Sequence, residues 1–179
     1  MQKEWYELIA AGQQKKELSR LLSCNEKSAQ YGLVLTEEEA LKLLTCRKEA
    51  LMEQGRVEFG GGILPALMEA FCDSDYITQD EFADTLADLQ EVFYLYKNEA
   101  NENLTDEELI TFMREQFDDV CCGSVEYLEE TCLERFARAV RAGYDDFIQS
   151  GGSCEYERFS EEMRWDKELF LQVYYELLG

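Results

Sequence analysis

Apolar residues recur along this chain at spacings of three and four, the period of amphipathic helices, over almost its whole length. Between Gln2 and Ala11, Trp5, Leu8 and Ile9 share one helical face, and from Gln13 to about Ser28 the stripe continues through Leu18, Leu21 and Leu22. Gly12 is expected to bend or separate the two segments. The next apolar stretch, Tyr31-Gly32-Leu33-Val34-Leu35, is too short and too uniformly apolar to assign to helix or strand.

At Thr36 the pattern acquires a start signal. Thr36 and Glu39 stand at capping-box spacing, with Leu35 and Ala40 in the hydrophobic-staple positions around them. They predict a helix over Glu37–Gln54 that buries Ala40, Leu41, Leu44, Ala50 and Leu51, closed by Gly55 as a left-handed cap. The same signal recurs at Thr78 with Glu81 and at Thr105 with Glu108. The helix after Thr78 carries a narrow seam, Phe82, Leu86, Leu89, Phe93 and Tyr96, suited to packing between other helices. The helix after Thr105 carries Leu109, Phe112, Met113, Phe117 and Val120, and the polar run Asn98–Asn103 between the two suits a helical hairpin. Gly123-Ser124 opens another helix with Val125, Leu128, Cys132, Phe136, Ala139 and Val140 on its buried stripe. A loosened section follows at Gly143, Gly151 and Gly152, and then Trp165, Leu169, Phe170, Val173, Tyr174 and Leu177 define a terminal amphipathic helix. The similar starts at Thr36 and Thr105 are convergent capping and not an internal repeat, because the residues after them diverge.

One stretch departs from this pattern, Gly55–Tyr76, GRVEFGGGILPALMEAFCDSDY. Gly60-Gly61-Gly62 precede Ile63, and Pro65 is acceptable in a first helical turn. A glycine-rich helix entry exposes backbone N–H groups and can hold an anion, with Arg56 and Glu58 just upstream. The stretch has neither the Lys-Ser/Thr ending of a P-loop nor Gly-x-Gly-x-x-Gly spacing. The structural reading is that glycine permits positive φ and close approach where Val57 and Phe59 turn into a buried helix.

Composition narrows the chemistry. The 179 residues suit one domain, and a 46% hydrophobic fraction with 12% aromatics argues for a packed core in spite of the charge. The formal net charge of −22 repels phosphates, and the basic clusters Lys15-Lys16-Arg20 and Arg135-Arg138-Arg141 are scattered among acids, so nucleic acid is not an expected partner. No apolar run approaches the ~20 residues of a membrane-spanning helix. Seven cysteines without a regular framework, and an N-terminus without a signal-peptide core, point to a reducing cytoplasm.

The chain has no histidine, which removes Ser-His-Asp and Cys-His catalysis, histidine zinc sites and Glu-x-x-His di-iron pairs together. A calcium loop starting at Asp118 would match EF-hand spacing at Gly123, Val125 and Glu129, but Val120 and Cys122 supply no oxygen at its third and fifth positions. A loop from Asp73 fails similarly, with Thr78 at the required glycine and Ile77 at a ligand position. Asp118-Asp119 lacks the third acid of an Asp-Asp-x-x-Asp motif, because position 122 is cysteine. Cys46, Cys72 and Cys132 read as small core hydrophobes. Cys121-Cys122 before Gly123 is either a helix end that contains cysteine or a redox-sensitive or soft-metal pair, and the first reading is preferred, since no basic neighbour is evident in the sequence.

The segments CNEKSAQYGLVLTEEEALKLL, GRVEFGGGIL and AFCDSDYITQDEF together resemble an uncharacterised bacterial family, seen mainly in Firmicutes and classed as a domain of unknown function, over about Cys24–Gly143. Proline often stands in that family where this chain has Asp75, so the local turn is expected to differ. The resemblance implies a bacterial cytoplasmic setting and no catalytic residues.

The expected architecture is a single compact all-α domain over residues 1–179, of about seven helices, with room for one minor two-stranded β-bridge between Leu33–Leu35 and Val57–Phe59. The expected function is that of a non-catalytic acidic cytoplasmic interaction or adaptor protein, with a protein partner and without nucleic acid, membrane, metal or cofactor. The alternative is a small-anion or magnesium–nucleotide binding protein or enzyme using Arg56, Glu58, Gly60, Gly61 and Gly62. What separates the two is whether Arg56 faces a pocket or is buried against a carboxylate such as Glu58.

Overall fold

The helix on which the others close is α5 (Phe82–Glu99), which packs against the helices Glu37–Glu53, Leu64–Phe71 and Asp106–Asp119 and against the last described helix, Leu133–Ala139. The computed structural model describes residues 2–58, 60–100 and 104–140, and it is all-α. Before α5 come α1 (Gln2–Ser23), a short α2 (Asn25–Ser28) that runs into a 3-10 turn, α3 (Glu37–Glu53) and α4 (Leu64–Phe71). After it come α6 (Asp106–Asp119), α7 (Val125–Tyr127), a π-helical turn (Leu128–Cys132) and α8 (Leu133–Ala139). The terminal helix expected over Trp165–Leu177 lies outside the described residues, as do Gly143, Gly151 and Gly152.

The central position of α5 widens its buried face beyond the expected seam. Besides Phe82, Leu86, Leu89, Phe93 and Tyr96, it buries Gln90, Val92, Tyr94 and Lys97. Tyr96 stacks on Phe136 at 5.1 Å between ring centroids and on Phe112 at 6.1 Å, while Phe71 meets Phe117 edge-on at 5.4 Å. These contacts join α4, α5, α6 and α8 through one aromatic layer.

Two of the three start signals form as written. Thr36 Oγ1 accepts from the Glu39 N–H while the Thr36 N–H donates to Glu39 Oε2 at 2.8 Å, and Thr105 with Glu108 repeats the arrangement. At Thr78 there is no side-chain cap, and a 3-10 turn over Gln79–Glu81 intervenes before α5 begins. The side chain of Gln79 is committed elsewhere, accepting from the Val34 N–H at 2.7 Å and donating to the Val34 carbonyl at 2.9 Å.

That commitment also explains why the expected β-bridge is absent. No strand forms among the described residues; the Leu33 N–H donates back to the Ser28 carbonyl at 3.1 Å, and Val34 and Leu35 bond to side chains. Asn25 clasps Leu35 as Gln79 clasps Val34, with bonds of 2.8 and 2.9 Å to its N–H and carbonyl. Two side-chain amides therefore satisfy the extended backbone that a second strand would otherwise have paired.

Gly12 does not break the first helix, and α1 is continuous for 22 residues. What changes near Gly12 is the side on which apolar residues fall. At ~100° per residue, Trp5, Leu8 and Ile9 point roughly half a turn away from Leu18, Leu21 and Leu22. The second group faces the body, with Leu21 buried and Leu18 and Leu22 packed on the core. The first group is exposed, and so is every residue from Lys3 to Gln13.

Candidate functional site

The glycine-rich stretch is organised by a residue the sequence pattern did not single out, Arg47. It occupies the buried face of α3 in register with Ala40, Leu43, Leu44 and Ala50, and it is only 5% exposed. A buried guanidinium needs carboxylate partners to offset its lost hydration. Its Nε donates to Glu58 Oε2 at 2.8 Å, Nη1 lies 3.5 Å from Glu17 Oε2, and Nη2 donates to the Gly60 carbonyl at 3.4 Å. Burial works against its charge, but the hydrogen bond and charge of Glu58 more than offset this and hold its pKa above the ordinary arginine value. Tyr94 completes the cluster by donating its hydroxyl to Glu58 Oε2 at 2.7 Å. Burial, followed by that contact with Glu58, pushes the Tyr94 phenol up and keeps it a donor.

The glycines serve this cluster. Gly62 has φ +69°, and a Cβ there would lie 2.4 Å from Arg47 Nε. A Cβ on Gly61 would lie 2.7 Å from Arg20 Nη1. Gly60, at φ +82°, turns its carbonyl towards Arg47. The backbone thus passes close over two guanidinium groups, and the one at Arg47 is already matched by two carboxylates.

Arg56 is not the partner of Glu58. Its Nη1 donates to Asn98 Oδ1 at 2.7 Å, and Asn98 in turn donates to Gln54 Oε1 at 2.6 Å. Arg56 and Glu58 line a cleft of about 240 Å³ with Leu51, Phe93, Lys97 and Asp106. Lys97 in this cleft donates to the Leu104 carbonyl and pairs with Asp106, each at 2.8 Å. Gly60, Gly61 and Gly62 do not line it. The structure therefore brings Arg56 and Glu58 to one opening and leaves the glycines on the other side of the Arg47 cluster.

A second arginine gathers the two acids from which calcium loops were tested. Arg114 on α6 pairs with Asp118, Nε to Oδ2 at 2.8 Å, and also with Asp73 and the Ala70 carbonyl at the end of α4. Asp118 additionally accepts from Ser74 Oγ at 2.6 Å. The hydrogen bond from Arg114 holds the Asp73 carboxyl below its usual range. These acids fasten the loop after α4 to α6.

Arg47, Glu17, Tyr94 and Arg114 were all missed from sequence. Arg47 had one legible sign, a cation at a core position of an amphipathic helix. Glu17 and Tyr94 reach it from two other segments and gave none, while Glu58 was legible as a candidate carboxylate but with Arg56, not Arg47, as its partner.

The described chain is an all-α domain pinned by a buried cluster at Arg47 and a partly exposed one at Arg114, with its first helix partly clear of the described core. It belongs to DUF6323, a family of unknown function, whose model matches residues 20–146. No curated protein and no solved structure matches the chain. The family match begins near the point where α1 turns its apolar face to the body. Among the described residues, no helix is long and apolar enough to cross a membrane.

Proposed function

We propose that this is a non-catalytic interaction protein that docks a partner protein through the first three turns of α1. One observation carries the reading, an apolar stripe on a projecting helix. Trp5 is 68% exposed, Leu8 72% and Ile9 60%, with Tyr6 beside them. Among the described residues the core packs on the opposite face of α1, through Leu18, Leu21 and Leu22, and leaves this stripe uncovered. Large aromatic and aliphatic side chains at three- and four-residue spacing are the anchors of helix-in-groove recognition. The partner is accordingly a protein with an apolar groove and a positively charged rim, to which the −22 charge of the chain is complementary.

The test compares wild type with Leu8→Glu/Ile9→Glu. These positions are exposed, so thermal stability should be unchanged while a partner captured from native lysate is lost and its purified form no longer binds. Equal binding by the variant, or a turnover activity that survives it, would remove the proposal.

A second reading rests on the cleft beside Arg56, which would take a small phosphorylated ligand. It predicts a thermal shift with such a ligand that disappears in Arg56→Ala; the absence of a shift across a broad panel of phosphorylated compounds would end it.

A further inference from the structure

Cys121, read from the sequence as half of a pair with Cys122, instead meets Cys132, eleven positions on, at the end of α6. After Asp119 the chain leaves the helix through Val120 and Cys121, whose N–H groups both donate to the Gln116 carbonyl, at 3.0 and 2.8 Å. It then reverses through Cys122 at φ +48° and Gly123 at φ +84°. Cys122 is the one non-glycine residue of positive φ among the described residues, and it is exposed. The following helix contains the π-helical turn Leu128–Cys132, whose wider geometry shifts the register of the residues leaving it. The buried Tyr96 hydroxyl donates to the Leu128 carbonyl in this turn at 2.8 Å. Cys132 leaves the turn with its Sγ 3.5 Å from that of Cys121. The six cysteines of the described residues are all free thiols.

We infer that Cys121 and Cys132 are a dithiol modification site, which a water-sized hydroperoxide oxidises to a disulfide. In the first step the Cys132 sulfur attacks one peroxide oxygen, the O–O bond breaks, and the departing hydroxide takes a proton to become water. Cys132 is left as the sulfenic acid. The Cys121 sulfur then attacks it, the S–O bond breaks, and the hydroxide leaves with the Cys121 proton as a second water. Two thiols and one peroxide give one disulfide and two waters, and a small dithiol reverses the change.

Three features favour this pair over the other thiols. The sulfurs are already in contact and must close only from 3.5 Å to about 2.05 Å. The hydrogen bond from Cys121 holds Cys132 below the ordinary thiol range, with Arg135 adding to the effect and burial opposing it. That same bond, followed by burial, raises Cys121. By contrast, burial pushes Cys24 and Cys72 up, which makes them poor nucleophiles. Exposure sets the oxidant, since Cys132 is 2% exposed and Cys121 7%, and a bulky disulfide would not reach them. The strained turn at Cys122 is the element that yields to admit peroxide.

The test treats the reduced full-length protein with hydrogen peroxide in native buffer, alkylates the remaining thiols and maps peptides by mass spectrometry. The expected product is an intramolecular Cys121–Cys132 link, lighter by two hydrogens, formed at least about tenfold faster than Cys24 or Cys72 is oxidised. Dithiothreitol should restore both thiols. Cys121→Ser should stop at a sulfenic acid on Cys132, trapped by a 1,3-diketone probe, with helicity checked by circular dichroism. The wild-type mapping needs no variant. A link to Cys122 or Cys154, a link between two chains, or oxidation of Cys24 and Cys72 at the same rate would overturn the inference.

Discussion

Removing the Arg47 guanidinium tests whether the glycine-rich stretch is a seat for that side chain. In Arg47→Met the stem volume is largely kept, but Glu58 and Glu17, whose side chains are only 18% and 12% exposed, lose their cation. Breaking one side of a buried ion pair costs roughly 3–5 kcal/mol, and because Tyr94 still donates to Glu58 the lower end is expected. Urea unfolding followed by far-UV circular dichroism should report about 3 kcal/mol at unchanged m, a large part of the ~5–15 kcal/mol of a typical domain. Adding Glu58→Gln removes one stranded charge, and the double variant should be more stable than the sum of the two single losses by over 1 kcal/mol or so. Gly62→Ala extends the cycle. In wild type it combines a left-handed strain of about 1–2 kcal/mol with displacement of an ion-paired guanidinium, whereas in Arg47→Met the flexible, unpaired thioether end can move aside and mainly the strain should remain. A loss below ~1 kcal/mol in Arg47→Met, or strict additivity with both Glu58→Gln and Gly62→Ala, would refute the reasoning.

The caps give a graded comparison, in which Thr36→Ala and Thr105→Ala each lose about 1 kcal/mol while Thr78→Ala, which makes no cap bond, changes stability by only a few tenths in the same denaturation assay. The pH dependence has two opposed parts. Asp88, Glu91 and Glu115 are raised by partial burial and then by neighbouring acids, so the folded chain binds more protons than the unfolded one and gains stability as pH falls towards the carboxylate range, by a small amount because all three are exposed. Asp73 is lowered by Arg114, so its contribution is present above the ordinary carboxylate pKa and is lost as pH falls through its folded value, below about 4. That contribution is small because the Asp73 side chain is half exposed. The melting temperature should therefore peak on the acid side of neutrality, and a steady fall between pH ~7 and ~5 would contradict the assignment.

What was legible in the sequence was local. The boxes at Thr36 and Thr105 and the glycine cap at Gly55 involve residues within one turn of each other, and they form as expected. The box at Thr78 has the same residue spacing and fails because Gln79, inside it, is drawn to Val34 some forty-five positions away. The β-bridge fails for the same reason. At the candidate site, sequence spacing placed Arg56, Glu58 and the three glycines in one motif, but Glu58 turns inward to Arg47 while Arg56 turns to Asn98. Both residues still line one cleft, but their hydrogen-bond partners come from different helices far away in sequence, so spacing alone could not name them. The stripe on α1 was visible as an amphipathic pattern, but its phase relative to Leu18, Leu21 and Leu22 decides whether it is core or surface.

The same accounting of cations sharpens the docking reading. A chain with 17 basic and 39 acidic residues matches Arg47, Lys97 and Arg114 with carboxylates inside its own fold, and the acids in excess of the bases leave its exterior strongly negative. The first three turns of α1 are the exception, with Lys3 against Glu4 and Glu7 as their charged residues. An apolar stripe on a nearly neutral helix, beside a strongly negative body, divides the work of association. On the proposed docking reading, long-range attraction of a cationic partner would come from the body and retention from Trp5, Leu8 and Ile9. Raising salt from ~50 to ~500 mM should then lower the association rate by tenfold or more and change the dissociation rate little, because the screening length shrinks well below the size of the domain. Trp5→Ala should do the reverse, speeding dissociation at an unchanged association rate. Surface plasmon resonance with the captured partner separates the two rates, and a salt effect confined to dissociation would show that charge, and not the apolar stripe, holds the complex.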